Sequence, residues 1–301
     1  MADKLKVIYY PGCTLYTKAE HLNESAKLTA KVLDIDLVEL PDWTCCGAAF
    51  PLVTDNVIGM VSAGRILANT NKMNDGQGGI LTTLCAFCYN VLHRTNKVIR
   101  EDERKRKKIN LLIEEEYEGN VKVKHLLEVL RDEYGFDKIK DKVKHPLTGM
   151  KIAPYYGCQL LRPRAEMEFD DPENPKVIED FIESIGAEVV DYPFKNECCG
   201  SYQIINTDED VAVECSYNIL DSAERSEAEA IALSCPLCYY NLDFKQKEIQ
   251  EKYSGFTPIP VFYFTELLGL ALEIQKIDEN SLMFDKHFID PLPLLKEKGA
   301  I

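Results

Sequence analysis

Ten of the eleven cysteines in this 301-residue chain fall into two sets with the same order and similar spacing. Each set contains a lone cysteine, then two adjacent cysteines followed by glycine, then a Cys-x-x-Cys. The members are Cys13, Cys45, Cys46, Cys85 and Cys88 in the first set, and Cys158, Cys198, Cys199, Cys235 and Cys238 in the second. Cys-x-x-Cys is a chelating spacing common to zinc and iron–sulfur sites. The pattern therefore predicts two metal centres.

The number of thiols in each set favours a cluster over zinc. A tetrahedral zinc ion takes four ligands, and a cubane cluster takes one thiolate per iron. A fifth thiolate implies a cluster that is larger or more open than a cubane, with a bridging cysteine. The adjacent cysteines need a sharp turn, because neighbouring side chains of a strand point in opposite directions, and Gly47 and Gly200 allow one. Structural zinc and plain burial of cysteine are the alternatives.

The remaining candidates for chemistry are weaker. Cys215 has no counterpart in the first set and shares a helical stripe with Val211 and Ile219, which predicts core packing. The histidines share no ligand spacing and no repeated position, which predicts surface or capping roles. They are His21, His93, His125, His145 and His287. The sequence has no GxGxxG, P-loop or Ser/His/Asp signal.

The elements that must position the cysteines are written twice along the chain. Tyr9–Cys13 corresponds to Tyr155–Cys158, and Leu84–Asn90 corresponds to Ser234–Asn241. Within each half, strands alternate with amphipathic helices, which predicts a parallel sheet with crossover helices. The fold class expected is α/β, with two tandem homologous domains, each a small, mostly parallel, Rossmann-like sheet with flanking helices. Each cysteine motif then lies at the carboxyl edge of the strands, where open α/β sheets bind ligands.

The predicted boundaries follow from the periodicity and the turn residues. The domains are residues 1–148 and 149–301, with the linker near Lys140–Gly149. The predicted strands are Leu5–Tyr10, Ile35–Leu40, Gly79–Leu84, Lys151–Tyr155, Ala187–Asp191, Ala230–Leu233 and Val261–Phe264. The predicted helices are Lys18–Leu33, Asp55–Asn71 capped by Thr54 or Asp55, Lys176–Ile185, Asp208–Ser222 and one long charged helix from Tyr89 through Lys108 within the insert 89–120.

Charge and hydropathy exclude several classes of protein. The net charge of −15 argues against sequence-independent nucleic-acid binding, and the basic run Arg104–Lys108, flanked by glutamates, is typical of a solvated helix. The most hydrophobic segment, Val261–Ile274, contains Glu266 and Glu273 and is too short to span a bilayer. With no secretion signal visible, a cytoplasmic protein with reduced thiols is expected.

The doubled motif resembles the cysteine-rich CCG-domain family, and nearly all 301 residues resemble the B subunits of heterodisulfide reductase. All ten cysteine positions of the family are present. The family also includes subunits of thiol:fumarate reductase, glycolate oxidase and anaerobic glycerol-3-phosphate dehydrogenase. Several of those carry a ferredoxin-like segment that this sequence lacks. The alternative function is that of an iron–sulfur electron-transfer subunit in one of those other oxidoreductases.

The resemblance implies cofactors, a reaction and partners. Each five-cysteine set would ligate one noncubane [4Fe-4S] cluster. The reaction would be reduction of the coenzyme M–coenzyme B disulfide to two thiols, in a methanogenic complex that carries out flavin-based electron bifurcation. The partners would be a ferredoxin-like C subunit, a flavin-bearing A subunit and, through it, a hydrogenase or formate dehydrogenase, with no nucleic acid and no membrane.

Two inferences follow from the doubled motif and from that substrate. A disulfide held between two clusters could receive one electron from each. Because both coenzymes are anionic, the cleft should carry positive charge, for which Arg162, Arg164 and Lys195 are the candidates, with Arg94 behind them.

Overall fold

The chain forms two four-stranded, all-parallel sheets flanked by helices, which confirms the predicted fold class. The strand orders are β2-β1-β3-β4 in the first sheet and β6-β5-β7-β8 in the second, so the two sheets have the same topology. These elements come from a computed structural model that describes residues 4–48, 56–201, 203, 209–276 and 281–301.

The first half contains four strands and six helices within the described residues. Its elements are β1 Leu5–Tyr9, α1 Glu20–Val32, β2 Ile35–Glu39, α2 Val61–Met73, β3 Gly79–Thr83, α3 Ala86–Glu101, α4 Glu103–Ile113, β4 Val121–His125, α5 Leu126–Glu128 and α6 Phe136–Lys142. A π-helical segment, Val129–Tyr134, extends α5, and 3₁₀ turns cover Thr14–Tyr16 and Val57–Met60.

The second half repeats the order with shorter strands. Its elements are β5 Lys151–Pro154, α7 Arg164–Met167, α8 Val177–Ser184, β6 Glu188–Val189, α9 Glu209–Arg225, β7 Ala230–Leu233, α10 Pro236–Tyr239, α11 Gln246–Lys252, β8 Val261–Tyr263, α12 Phe264–Ala271 and α13 Leu292–Glu297. A π-helical segment, Tyr240–Phe244, follows α10, and 3₁₀ turns cover Ile274–Lys276 and Phe284–Lys286.

The central strands are hydrophobic because helices cover both faces of each sheet. In β7, all four residues are buried, and the register pairs Ile231 with Val261 and Ile152 with Ala230. Continuous apolar runs of this kind are typical of parallel strands buried on both faces, in which polar and apolar residues do not alternate. The two central strands of each sheet, β1 with β3 and β5 with β7, end beside the cysteine motifs.

The long helix predicted from Tyr89 through Lys108 is wrong as a single element. It is interrupted at Asp102, whose backbone is extended (φ −116°, ψ 96°), so that α3 ends and α4 begins there. The Asp102 carboxylate accepts a hydrogen bond from the Lys105 backbone N–H at 3.0 Å, which caps α4. The alternating charges of this segment do not predict that Asp102 caps a second helix. The predicted caps Thr54 and Asp55 lie outside the described residues.

Each half contributes a helix that packs against a helix of the other half. α12 of the second half packs against α1, and α6 of the first half packs against α8. The Ser25 and Thr265 hydroxyl groups hydrogen-bond at 2.7 Å across the first of these contacts, and the Phe136 and Phe181 rings lie 6.1 Å apart across the second. The chain passes from one sheet to the other between Lys142 and Lys151. The boundary at 148/149 stays a prediction.

Candidate metal centre

The Cys-x-x-Cys motifs lie where central strands end and helices begin. Cys85 follows β3 and is the N-cap residue of α3, and Cys235 follows β7 and is the N-cap residue of α10. Cys88 and Cys238 therefore lie in the first turns of these helices. The unpaired N–H groups of a helix N-terminus can donate hydrogen bonds to sulfur atoms bound at these positions.

The five cysteines of the first set converge from the interior to the surface. The Cys46 and Cys88 sulfurs lie 3.4 Å apart, and the Cys13 and Cys45 sulfurs lie 4.0 Å apart. Cys46, Cys85 and Cys88 are buried, whereas Cys13 and Cys45 are exposed. The set therefore has a closed inner side and an outer side open to solvent.

The second set has the same arrangement with more polar contacts. The Cys199 and Cys238 sulfurs lie 3.4 Å apart, and the thiols of Cys158 and Cys198 form a hydrogen-bonded pair. The Gln159 side-chain amide donates to the Cys158 sulfur at 3.4 Å, and the Ser201 hydroxyl lies 2.8 Å from the Cys199 sulfur. These groups can bond sulfur atoms at the site, as hydrogen bonds to cluster sulfurs do.

The two sets are in direct contact with each other. The Cys85 thiol of the first half lies beside the Cys235 thiol of the second half, close enough that each shifts the pKa of the other, and both residues are buried. The ten cysteines therefore form one continuous group with two lobes. The repeat in the sequence predicts two centres, but only the packing of the halves decides that they lie side by side.

Glycines next to the lone cysteines leave room beside the sulfurs. Gly12 and Gly157 both have positive φ, at 74° and 63°. A Cβ atom at Gly12 would lie 3.0 Å from the Cys88 sulfur, and one at Gly157 would lie 3.3 Å from the Cys238 sulfur. Both the backbone conformation and the close approach require glycine.

The exposed cysteine of each adjacent pair has a lowered pKa. A hydrogen bond from Cys46, with one from the Gly47 N–H, lowers the pKa of Cys45 to about 6. The hydrogen bond with Cys158, together with the Gly200 N–H, lowers the pKa of Cys198 to about 6. Burial is the largest cause that raises the pKa of Cys235 to about 12. Cys45 and Cys198 are therefore thiolates at neutral pH, the form that binds metal.

The residues of each five-cysteine group fit an iron–sulfur cofactor. Five sulfurs converge in each half, small residues leave space beside them, and backbone and side-chain donors point at them. Each donor set consists of thiolates alone, which suits soft metals and iron–sulfur clusters. The predicted ligands are thus brought together as two groups of five.

Tyrosines next to the lone cysteines brace the loops that carry the adjacent pairs. The Tyr10 hydroxyl donates to the Thr44 carbonyl at 2.9 Å, and the Tyr155 hydroxyl donates to the Glu197 carbonyl at 2.8 Å. Thr44 and Glu197 each directly precede a Cys-Cys-Gly. The repeated Tyr-Tyr pairs were a signal for the bracing role, but the hydrogen-bond acceptors lie more than 30 residues away.

Cys215 lies close to the second set without belonging to its five sulfurs. Burial raises the pKa of Cys215, and the charges of Cys198 and Cys199 raise it further. The predicted core stripe is wrong at Val211, which is 38% exposed, although Ile219 is buried. The first three residues of α9 are exposed, whereas Ala212, Val213 and Ser216 further along it are buried.

The four basic residues predicted for the cleft differ in their exposure and in their partners. Arg162 donates to the Asn196 carbonyl at 2.9 Å, beside the second Cys-Cys-Gly, and Arg164 is exposed at the start of α7. Lys195 is buried between Glu179 at 2.9 Å and Asp191 at 3.1 Å, so its charge is already balanced. Arg94 forms an ion pair with Glu166.

The surface or capping role predicted for the histidines is wrong for two of them, His21 and His287. His125 is fully buried, and its Nδ1 accepts from the Leu127 N–H at 3.2 Å, so the capping role is correct there. His21 is buried as well, and the His287 side chain is buried against Glu266. Their approach depends on segments more than 240 residues apart, which no local spacing could predict.

Comparison with known proteins agrees with this site. The family model of the cysteine-rich domain called CCG matches residues 7–93 and 152–243, which contain all ten cysteines. The chain belongs to the CCG cysteine-rich domain family. The resemblance drawn from the motifs is thereby confirmed, and the CCG domain occurs twice, once over each sheet.

Relatives match almost the whole chain. The "8-methylmenaquinol:fumarate reductase membrane anchor subunit" of Wolinella succinogenes is 33% identical over 88% of this CCG chain and 92% of its own length. The B subunit of the ferredoxin:CoB-CoM heterodisulfide reductase of Methanosarcina mazei is 29% identical over 89% of each chain.

A solved structure shares the fold. A hypothetical protein from Helicobacter pylori superposes with a TM-score of 0.72 at 12% identity, covering 96% of this chain and 52% of its own. At that identity the likeness concerns the fold alone. Across the described part of the chain, no helix has the length and apolar character needed to cross a bilayer.

Proposed function

We propose that this CCG protein is the disulfide-reducing component of a heterodisulfide reductase, acting on the mixed disulfide of coenzyme M and coenzyme B. The observation that carries the proposal is the contact between Cys85 and Cys235, which sets the two five-cysteine groups side by side. A disulfide has two sulfurs, and a pair of adjacent centres offers one metal site to each. The relatives that are named as B subunits of heterodisulfide reductases support the same reaction.

The cofactors in this proposal are two noncubane [4Fe-4S] clusters. Their ligands would be Cys13, Cys45, Cys46, Cys85 and Cys88 for one, and Cys158, Cys198, Cys199, Cys235 and Cys238 for the other. When bound, the clusters supply electrons one at a time. The disulfide takes up two electrons and two protons, its S–S bond breaks, and two thiols are released.

The chain's own residues would hold this assembly closed and oriented. Tyr10 and Tyr155 fix the loops before the adjacent cysteines, and the buried Cys46 and Cys199 close the inner side of each lobe. Cys45 and Cys198 lie on the exposed side, where a disulfide can approach.

The partners would supply the electrons. In the proposed complex, a ferredoxin-like C subunit passes electrons from a flavin-bearing A subunit, which draws them from a hydrogenase or formate dehydrogenase by flavin-based bifurcation in methanogenesis. The proposed location of the complex is the cytoplasm, and the proposed domains are residues 1–148 and 149–301.

The proposal is tested on protein purified without oxygen. We expect about eight iron and eight sulfide per chain, and cleavage of the coenzyme M–coenzyme B disulfide driven by reduced methyl viologen. Zinc without sulfide would contradict the cluster assignment. Clusters without cleavage would favour the second candidate, an electron-transfer subunit of a different oxidoreductase of the thiol:fumarate reductase or glycolate oxidase type. The fumarate reductase relative at 33% identity favours that candidate.

Removing both arginines beside the second set should weaken substrate binding. The Arg162→Ala, Arg164→Ala variant is expected to raise the KM for the anionic disulfide by at least about tenfold, because the loss of even one charge-assisted hydrogen bond costs roughly 1.5 kcal/mol. The Asn90 amide donates to the Arg162 carbonyl at 2.8 Å, so Arg162 lies between the two lobes. Steady-state kinetics at constant ionic strength measure the effect.

Arg225→Ala provides the control for this pair. Arg225 is exposed on α9 and pairs only with Asp221, at 3.0 Å, in the described structure. Its replacement changes the net charge without touching the cysteine groups. An unchanged KM in the double variant would remove both arginines from the binding site.

A further inference from the structure

A second group of metal-binding side chains lies apart from the ten cysteines. It consists of His21 on α1, Glu266 on α12 and His287, which follows the 3₁₀ turn Phe284–Lys286. One ligand atom from each residue lies within 4.8 Å of the other two. His287 Nε2 and Glu266 Oε1 are 2.9 Å apart. Two imidazoles and a carboxylate form a common donor set for catalytic zinc.

The group is buried and incompletely hydrogen-bonded. His21 is 1% exposed, and the side chains of Glu266 and His287 are 0% exposed. Neither ring nitrogen of His21 has a hydrogen-bond partner among the described residues. A buried polar atom left unpaired costs about 1–3 kcal/mol, so two such atoms on one ring call for an explanation.

The surroundings of His21 are aromatic and supply no acceptor for it. Its ring lies 4.9 Å from the rings of Tyr239 and Tyr263 and 5.6 Å from that of His287. A metal ion bound here would give His21 the partner that the surrounding rings do not provide.

The first half contains a matched position, Glu128, whose surroundings differ from those of Glu266. Glu266 caps α12 by accepting from the Tyr263 N–H at 2.7 Å, and Glu128 caps α5 by accepting from the His125 N–H at 2.8 Å. Near Glu128 the neighbouring cations are Arg131 and Lys124. At Glu266 two histidines take that place. Among the described residues, a metal-type donor set therefore surrounds Glu266 and not Glu128.

We propose that His21, Glu266 and His287 bind a divalent first-row transition ion, with Zn²⁺ as the representative cation. The three ligands leave a further coordination position, as in three-ligand zinc sites. The ion would join α1 of the first half to α12 and the C-terminal segment of the second, and so would fix the contact between these helices. This site is independent of the cysteine groups and of the proposed disulfide reduction.

The test measures metal identity and ligands in the cluster-loaded protein, produced with zinc supplementation and purified without oxygen. We expect about one zinc ion per chain beyond the cluster metals, with N/O ligands at about 2.0–2.1 Å in zinc X-ray absorption spectra. His21→Gln, Glu266→Gln and His287→Gln should each remove this zinc while iron and sulfide stay unchanged. Glu128→Gln is the matched control and should retain it.

Several results would overturn the proposal. They are zinc absent from the wild-type protein, zinc with sulfur ligands at about 2.3 Å, and zinc unchanged in all three variants. The spectrum of the wild-type protein decides the question alone if a variant fails to fold.

Discussion

Cys198→Ala is expected to lower the rate of heterodisulfide cleavage by at least about 100-fold, rather than by half. Loss of outer partners of a metal site already costs roughly 10–100-fold in activity or metal affinity, and a lost ligand should cost more. Cys198 is the exposed thiolate of the second lobe, hydrogen-bonded to Cys158 and to the Gly200 N–H. If both lobes act on one disulfide, damage to one disables the pair.

Cys215→Ala is the matched control, because Cys215 lies near Cys198 and outside the five-cysteine set. It should keep wild-type activity and iron content. The measurement is cleavage driven by reduced methyl viologen, with iron and sulfide analysed on the same samples. If Cys198→Ala keeps half of the wild-type activity while the first lobe still holds its cluster, the lobes work independently and the two-sided site is wrong.

Gly200→Ala is expected to remove the second cluster while leaving the first. Gly200 has a φ of 77°, and a Cβ atom there would lie 2.8 Å from the Ala212 Cα on α9. The left-handed conformation alone costs a non-glycine residue roughly 1–2 kcal/mol. The contact with helix backbone adds to this, since no flexible side chain can yield. The loop carrying Cys198 and Cys199 must then move away from Cys158 and Cys238.

Gly255→Ala separates the two causes. Gly255 also has a positive φ, 93°, but a Cβ atom there would meet no atom within 4 Å. It should lose stability by about 1–2 kcal/mol and keep both clusters. Iron and sulfide per chain and the melting temperature report the difference. Equal iron in the Gly200→Ala and wild-type proteins would show that the turn does not control cluster binding.

Local patterns were sufficient for most of the fold. The apolar strands beginning at Leu5, Gly79 and Ala230 form where predicted, because helices cover both faces of the sheets and demand such runs. The predicted helix from Tyr89 through Lys108 fails because a side-chain hydrogen bond to the backbone interrupts it. Asp102 ends one helix and starts the next, and the predicted strand Ala187–Asp191 shortens to Glu188–Val189.

The spacing of the cysteines by itself determined that this chain carries two five-thiol metal motifs on a duplicated α/β unit, because ligand geometry near a strand end is local. Only the tertiary structure decided that Cys85 touches Cys235 and that His21 meets Glu266 and His287. Those contacts arise from how the two halves pack against each other. Hydrophobic burial drives that packing without regard to sequence separation, so no local pattern encodes which polar groups it brings together.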